Sequence, residues 1–140
     1  MKNKYFLQAK EQLKTNFNID VLDDIIIAST SKVILYGHIE KKDMTLHVIS
    51  GSLEYFGFAD EPNIELSSIV DALDLNNKYA EVSGMDEYRE TISTDLFDFT
   101  TETNLTIPIK VNNVRKWIRI YMSKIEPNEN LRAFSINDVT

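Results

Sequence analysis

Three runs follow one another in the last third of the chain: Leu105-Thr-Ile-Pro-Ile-Lys-Val111, Lys116-Trp-Ile-Arg-Ile-Tyr-Met-Ser-Lys-Ile125 and Leu131-Arg-Ala-Phe-Ser-Ile-Asn137. In the first, apolar residues fall at every odd position. In the second, Ile118, Ile120 and Met122 alternate with Trp117, Arg119 and Tyr121. This period of two, bounded by Asn112-Asn113 and Pro127-Asn-Glu-Asn130, predicts half-buried antiparallel strands joined as two hairpins. A loop of Asn112 to Arg115 pairs Ile109 with Ile118, Ile107 with Ile120 and Leu105 with Met122. The opposite face then pairs Lys110 with Trp117, Pro108 with Arg119 and Thr106 with Tyr121. A second loop of Glu126 to Asn130 pairs Met122 with Phe134 and Ile120 with Ile136, which brings both residues of the third run onto the apolar face. Pro108 has no amide to donate, so the first strand belongs at a sheet edge.

Working outward, the chain ends in Asp138-Val139-Thr140, and Arg115-Lys116-Trp117-Ile118-Arg119 opens the middle strand. With the two long hairpins, these features resemble the C-terminal half of a PAS domain, a sensory module of bacterial signalling proteins. The family closes its last strand with Asp-hydrophobic-Thr, and a helix or effector domain follows. Its sheet order makes the first of the three strands an edge and sets the last in the middle. Upstream, Val33-Ile-Leu-Tyr36, Leu46-His-Val-Ile-Ser50 and Leu53-Glu-Tyr-Phe-Gly-Phe58 are similar to the family's opening hairpin and its short helix ending in Gly-aromatic, here Gly57-Phe58. Ser50 stands where the family often has Asn. Asp74-Leu75-Asn76-Asn77 stands where it often has His-Pro-x-Asp. The resemblance covers residues 30–140 and leaves 1–29 as an N-terminal helical segment.

The expected fold is therefore α+β: a five-stranded antiparallel sheet with short helices on one face and an N-terminal helix on the other. That helix runs from Lys2 to about Phe17, with Phe6, Ala9, Leu13 and Phe17 as its apolar stripe. Asn18 is a plausible cap for a second helix through Ala28. Ile64 to Leu73 reads as a short helix, and Asn77 to about Ser93 as a longer one broken around Gly84. Between Asp95 and Asn104 the pattern fits either a strand or a loop.

Composition narrows the function. With 22 acidic and 15 basic residues the net charge is −7, which disfavours binding to nucleic acid or anionic lipid. There is no cysteine, so thiolate chemistry, disulfides and Cys-ligated metals are excluded. This also fits a reducing cytoplasm. The longest apolar run, Ile25-Ile-Ile-Ala28, is too short to span a bilayer. Among the chromophores implied by the resemblance, flavin adducts and thioester-linked pigments need cysteine. Haem needs a histidine on the long helix, which has none, so no cofactor is expected.

His38 and His47 are the only histidines. If Glu40 pairs with Thr45, they face one another across a hairpin, about 5 Å apart at Cβ. With no third ligand in view, the polar side of a hairpin is the better account and no metal is expected. The carboxylates Asp23, Asp24, Asp60, Glu61, Asp86, Glu87, Asp95 and Asp98 lie in polar surroundings and read as solvated faces or helix caps. The apolar sheet face, with Ile107, Ile109, Ile120, Met122, Phe134 and Ile136, could line a small-ligand pocket with Tyr79 or Val82 from the long helix. A packed core is the competing account.

Trp117 and Tyr121 form an aromatic patch on the outer face, to be covered by the N-terminal helix or a second copy. Phe6, Leu13, Phe17, Trp117, Tyr121, Asp138 and Thr140 are thus the expected interface and relay residues. The functional expectation is a non-catalytic sensory domain, homodimeric and passing a signal to an effector. The alternatives are a small α+β cone-fold enzyme, which needs a buried His–Asp or Asp–Tyr pair, and a pure dimerisation module.

Overall fold

Alternation becomes sheet in the computed structural model, which describes residues 5–17, 33–125 and 128–140. Of Phe6, Ala9, Asn16, Phe17, Val33 and Ile34 only the backbone is described. The helix expected between Asn18 and Ala28 lies outside the described residues, as do the side-chain roles expected of Phe6 and Phe17.

Helix α1 (Phe6–Phe17) precedes strands β1 (Val33–Glu40) and β2 (Thr45–Gly51). A single 3-10 turn at Glu54–Phe56 leads to the short β3 (Asn63–Glu65). Helices α2 (Leu66–Asp71), α3 (Lys78–Ser83) and α4 (Met85–Phe97) follow, then β4 (Thr103–Val111), β5 (Val114–Ile125) and β6 (Asn128–Asp138). The strands form one antiparallel sheet in the order β3-β2-β1-β6-β5-β4. The architecture is α+β, with six strands among the described residues where five were expected. The addition is β3, whose three residues fall where the helix at Ile64 was predicted to begin.

One correction concerns register. β4 and β5 pair Leu105 with Ile120, Ile107 with Ile118 and Ile109 with Lys116, a shift of two residues from the expected pairing. The cause is the turn. Asn112 and Asn113 both take positive φ, 47° and 66°, and so close a two-residue loop of the kind that matches strand twist. A shift of two keeps every side chain on its expected face. β5 and β6 pair as expected, Ile120 with Ile136 and Met122 with Phe134. β4 lies at the sheet edge, and there the Pro108 carbonyl accepts from the Asp74 amide while the Lys110 amide donates to Ala72.

The inner face and the helices share one core. Leu35, Ile39, Leu46, Val48, Ile107, Ile118, Ile120, Met122, Phe134 and Ile136 meet Leu66, Ile69, Ala80, Tyr88, Ile92 and Leu96 there. Residues 77–93 do not form one helix. The Asn77 side chain caps α3 by accepting from the Tyr79 and Ala80 amides, and the chain breaks at Gly84, whose φ of 94° favours glycine. Helix α1 lies on the outer face against β2, and Leu13, Ile49 and Leu131 are buried apart from the main core. No helix among the described residues is long and apolar enough to cross a membrane.

Candidate functional site

The strongest polar constellation belongs to the β1–β2 hairpin. His38 pairs with His47 and Glu40 with Thr45, as the alternation implied. The surroundings differ from expectation. His38, Glu40 and His47 are 1%, 5% and 8% exposed, so this is a buried cluster and not the wet side of a hairpin. The cause is α1, which crosses this part of the outer face. Gln12 Nε2 donates to Glu40 Oε2 and lies 3.4 Å from His47 Nε2. Tyr5 ties the start of the helix down by donating to the Asp60 carbonyl at 3.2 Å.

Within the cluster, His47 Nε2 is 3.1 Å and His38 Nε2 3.7 Å from Glu40 Oε2. The two rings stack with centroids 4.8 Å apart and planes 17° from parallel. Asp43 Oδ2 stands at the rim, 4.0 Å from His47 Nε2. Neither ring nitrogen of His38 has a hydrogen-bond partner among the described residues. An unmade bond of this kind costs about 1–3 kcal/mol when buried. The space beside His47, lined by Tyr5, Gln8, Gln12, Val48 and Pro62, is about 10 Å³. That has room for about one water and none for an organic substrate.

Burial, aided by the neighbouring His47, pushes the His38 imidazole down to about 3. His47 is also lowered, because burial outweighs the opposing pull of Glu40 and Asp43. Both rings are therefore neutral near pH 7. An unfolded chain takes up a proton on His38 at about pH 6.5, whereas the folded chain does so only near 3. Between these values the unfolded state binds the extra proton, so stability falls as pH falls. From pH 6.5 to 5 this one group costs about 2 kcal/mol. Urea unfolding in metal-free buffer is expected to show this slope, and His38→Gln to flatten it. An equal slope in both proteins would mean that His38 is not held neutral.

Other expected residues separate into two groups. Ile107, Ile109, Ile120, Met122, Phe134 and Ile136 do come together, each at most 2% exposed, in close packing with the helices. Tyr79 and Val82 do not join them. They are 63% and 83% exposed, because the break at Gly84 ends α3 after six residues and turns that side of it to solvent. A larger cleft, about 350 Å³, opens at the other end of the sheet and is lined by Lys41, Phe99, Lys124 and Arg132 among others. Arg132 is itself buried, donates to the Thr101 carbonyl and lies 5.0 Å over the Phe99 ring.

The end of β6 is tied down. Asp138 accepts from Tyr55 at 2.5 Å, from Lys116 at 3.2 Å and from the Thr140 amide at 2.9 Å. The Lys116 ammonium lies 4.1 Å over the Tyr55 ring. Thr140 Oγ1 accepts from the Trp117 amide at 2.9 Å. Tyr55, followed by Thr140, holds the Asp138 carboxyl well below the usual carboxylate range. Trp117 and Tyr121 are on the outer face but are not covered by their own α1, which sits on β2. Tyr121 remains 40% exposed and donates to Glu102. No family model and no curated protein matches the chain.

Proposed function

We propose that the chain is a non-catalytic sensory or relay domain of the PAS type. It takes up a small ligand, or a second copy of itself, and passes the change along β6 to a downstream effector in the cytoplasm. The observation that carries this reading is the position of β6. It lies between β1 and β5 in the middle of the sheet, its inner side is part of the core through Phe134 and Ile136, and its end is held by Asp138 and Thr140. A disturbance of the core therefore has one strand to travel on. The order of the two hairpins around β6, with β4 at an edge, is what the resemblance implies and supports it further. The cleft at Arg132 offers room for a ligand. The outer side offers Leu7, 74% exposed, with Tyr121 and half-buried Trp117, to a second copy.

The test removes one methyl group on the helical side of the core. Ile92→Val on α4 is expected to shift the backbone amide resonances of Val139 and Thr140 across the sheet. If those resonances stay where they were while residues around position 92 move, β6 does not carry the change and the relay reading fails.

A further inference from the structure

We infer that His38, Glu40 and His47 form a binding site for one divalent transition-metal ion, closed by α1 through Gln12. The site does not depend on the relay role. Three potential ligand atoms, one from each residue, lie within 4.8 Å of one another. Around a tetrahedral ion with bonds of about 2.0–2.1 Å, neighbouring ligand atoms are about 3.3 Å apart. The separations of 3.1 and 3.7 Å to Glu40 bracket that value. The stacked rings need one turn about the Cβ–Cγ bond for their lone pairs to converge.

Independent of these distances is the state of His38. It is an imidazole 1% exposed with both nitrogens unpartnered, an arrangement that costs stability unless a ligand takes one lone pair. The enclosing space of about 10 Å³ beside His47 suits an ion with one water and excludes larger ligands.

Donor chemistry selects the class of ion. Two imidazoles and one carboxylate favour zinc-like ions, Co²⁺, Ni²⁺ or Cu²⁺, over Mg²⁺ and Ca²⁺, which take oxygen ligands in higher number. One carboxylate against a 2+ ion leaves the buried cluster with a single positive charge, and Asp43 stands at the rim to meet it. The Gln12 amide can present its oxygen in place of its nitrogen by turning over, and so serves as a fourth ligand or as the anchor of a bound water. Because all three ligands stand on two paired strands and Gln12 on α1, the ion joins the helix to the sheet.

The experiment uses the full chain, stripped with a chelator and titrated with Zn²⁺ by calorimetry and with Co²⁺ by visible absorption. One ion per chain is expected, with the intense Co²⁺ band of a four-coordinate site. Glu40→Gln and His47→Gln should each weaken binding more than about 100-fold, and Gln12→Ala about 10- to 100-fold. Since the chain has only two histidines, their ring-proton resonances report on the wild-type protein even if a variant fails to fold. Both sets should move on adding one equivalent of Zn²⁺. Unmoved ring resonances, or binding retained at full strength in His38→Ala/His47→Ala, would overturn the site.

Discussion

Replacing Gly37 by alanine is expected to cost about 3 kcal/mol or more, the upper end of what one added methyl group does in a packed interior. The reason is the neighbouring backbone. A Cβ at position 37 would stand 2.3 Å from the His47 carbonyl oxygen and 2.8 Å from Leu46 Cδ1. A flexible side chain could swing aside, but a carbonyl in a strand cannot move without moving β2. The register of β1 against β2 already slips between Tyr36 and Gly37, and the missing side chain is what lets the strands close there. Gly37 also faces Phe134 on β6, so the strain enters the middle of the sheet. Urea unfolding measures the effect. A loss below about 1 kcal/mol would mean that β1 and β2 do not approach this closely.

Removing residues 1–17 should have the second large effect. Leu13 is 2% exposed, and burial of such a side chain contributes about 1.5–3 kcal/mol. Gln12 leaves Glu40 at the same time, and the histidine cluster opens to water. A loss of about 3 kcal/mol is expected in total. By the proposal above, the truncated chain should also sediment as a monomer where the intact chain is a dimer. Trp117 adds a separate readout. Its own α1 lies on β2, so a change in tryptophan emission would record the loss of a second copy. A truncated chain that still sediments as a dimer would remove α1 from the interface.

Alternation in the last third carried the sheet. It gave the faces of Ile107, Ile118, Ile120, Phe134 and Ile136 and the edge position of Pro108. It could not give the register of β4 on β5, because a slip of two residues keeps every face unchanged. The missing signal was Asn112-Asn113, two residues that tolerate positive φ and close the tightest hairpin. Tyr79 and Val82 were misplaced because a stripe read across Gly84 joined two separate helices into one. Glu40 was within reach. The pairing that set His38 opposite His47 also puts Glu40 on their face, two positions on, but its place beside the turn made it read as solvated. Its burial depends on where α1 docks, a long-range contact that no local pattern encodes.

One further property follows from the pairing of Val33 with Asn137. The first residue of β1 and the last rungs of β6 lie at the same end of two adjacent central strands. Tension applied between those points would not shear the strands past one another, which requires many hydrogen bonds to fail together. It would open them from that end like a zipper, one rung after the next. The clasp of Asp138 with Lys116 and Tyr55 stands at the mouth of that zipper, beside the first rungs to part. A domain built this way yields to small forces, and how readily it yields is tuned by a few polar bonds at its edge more than by its core.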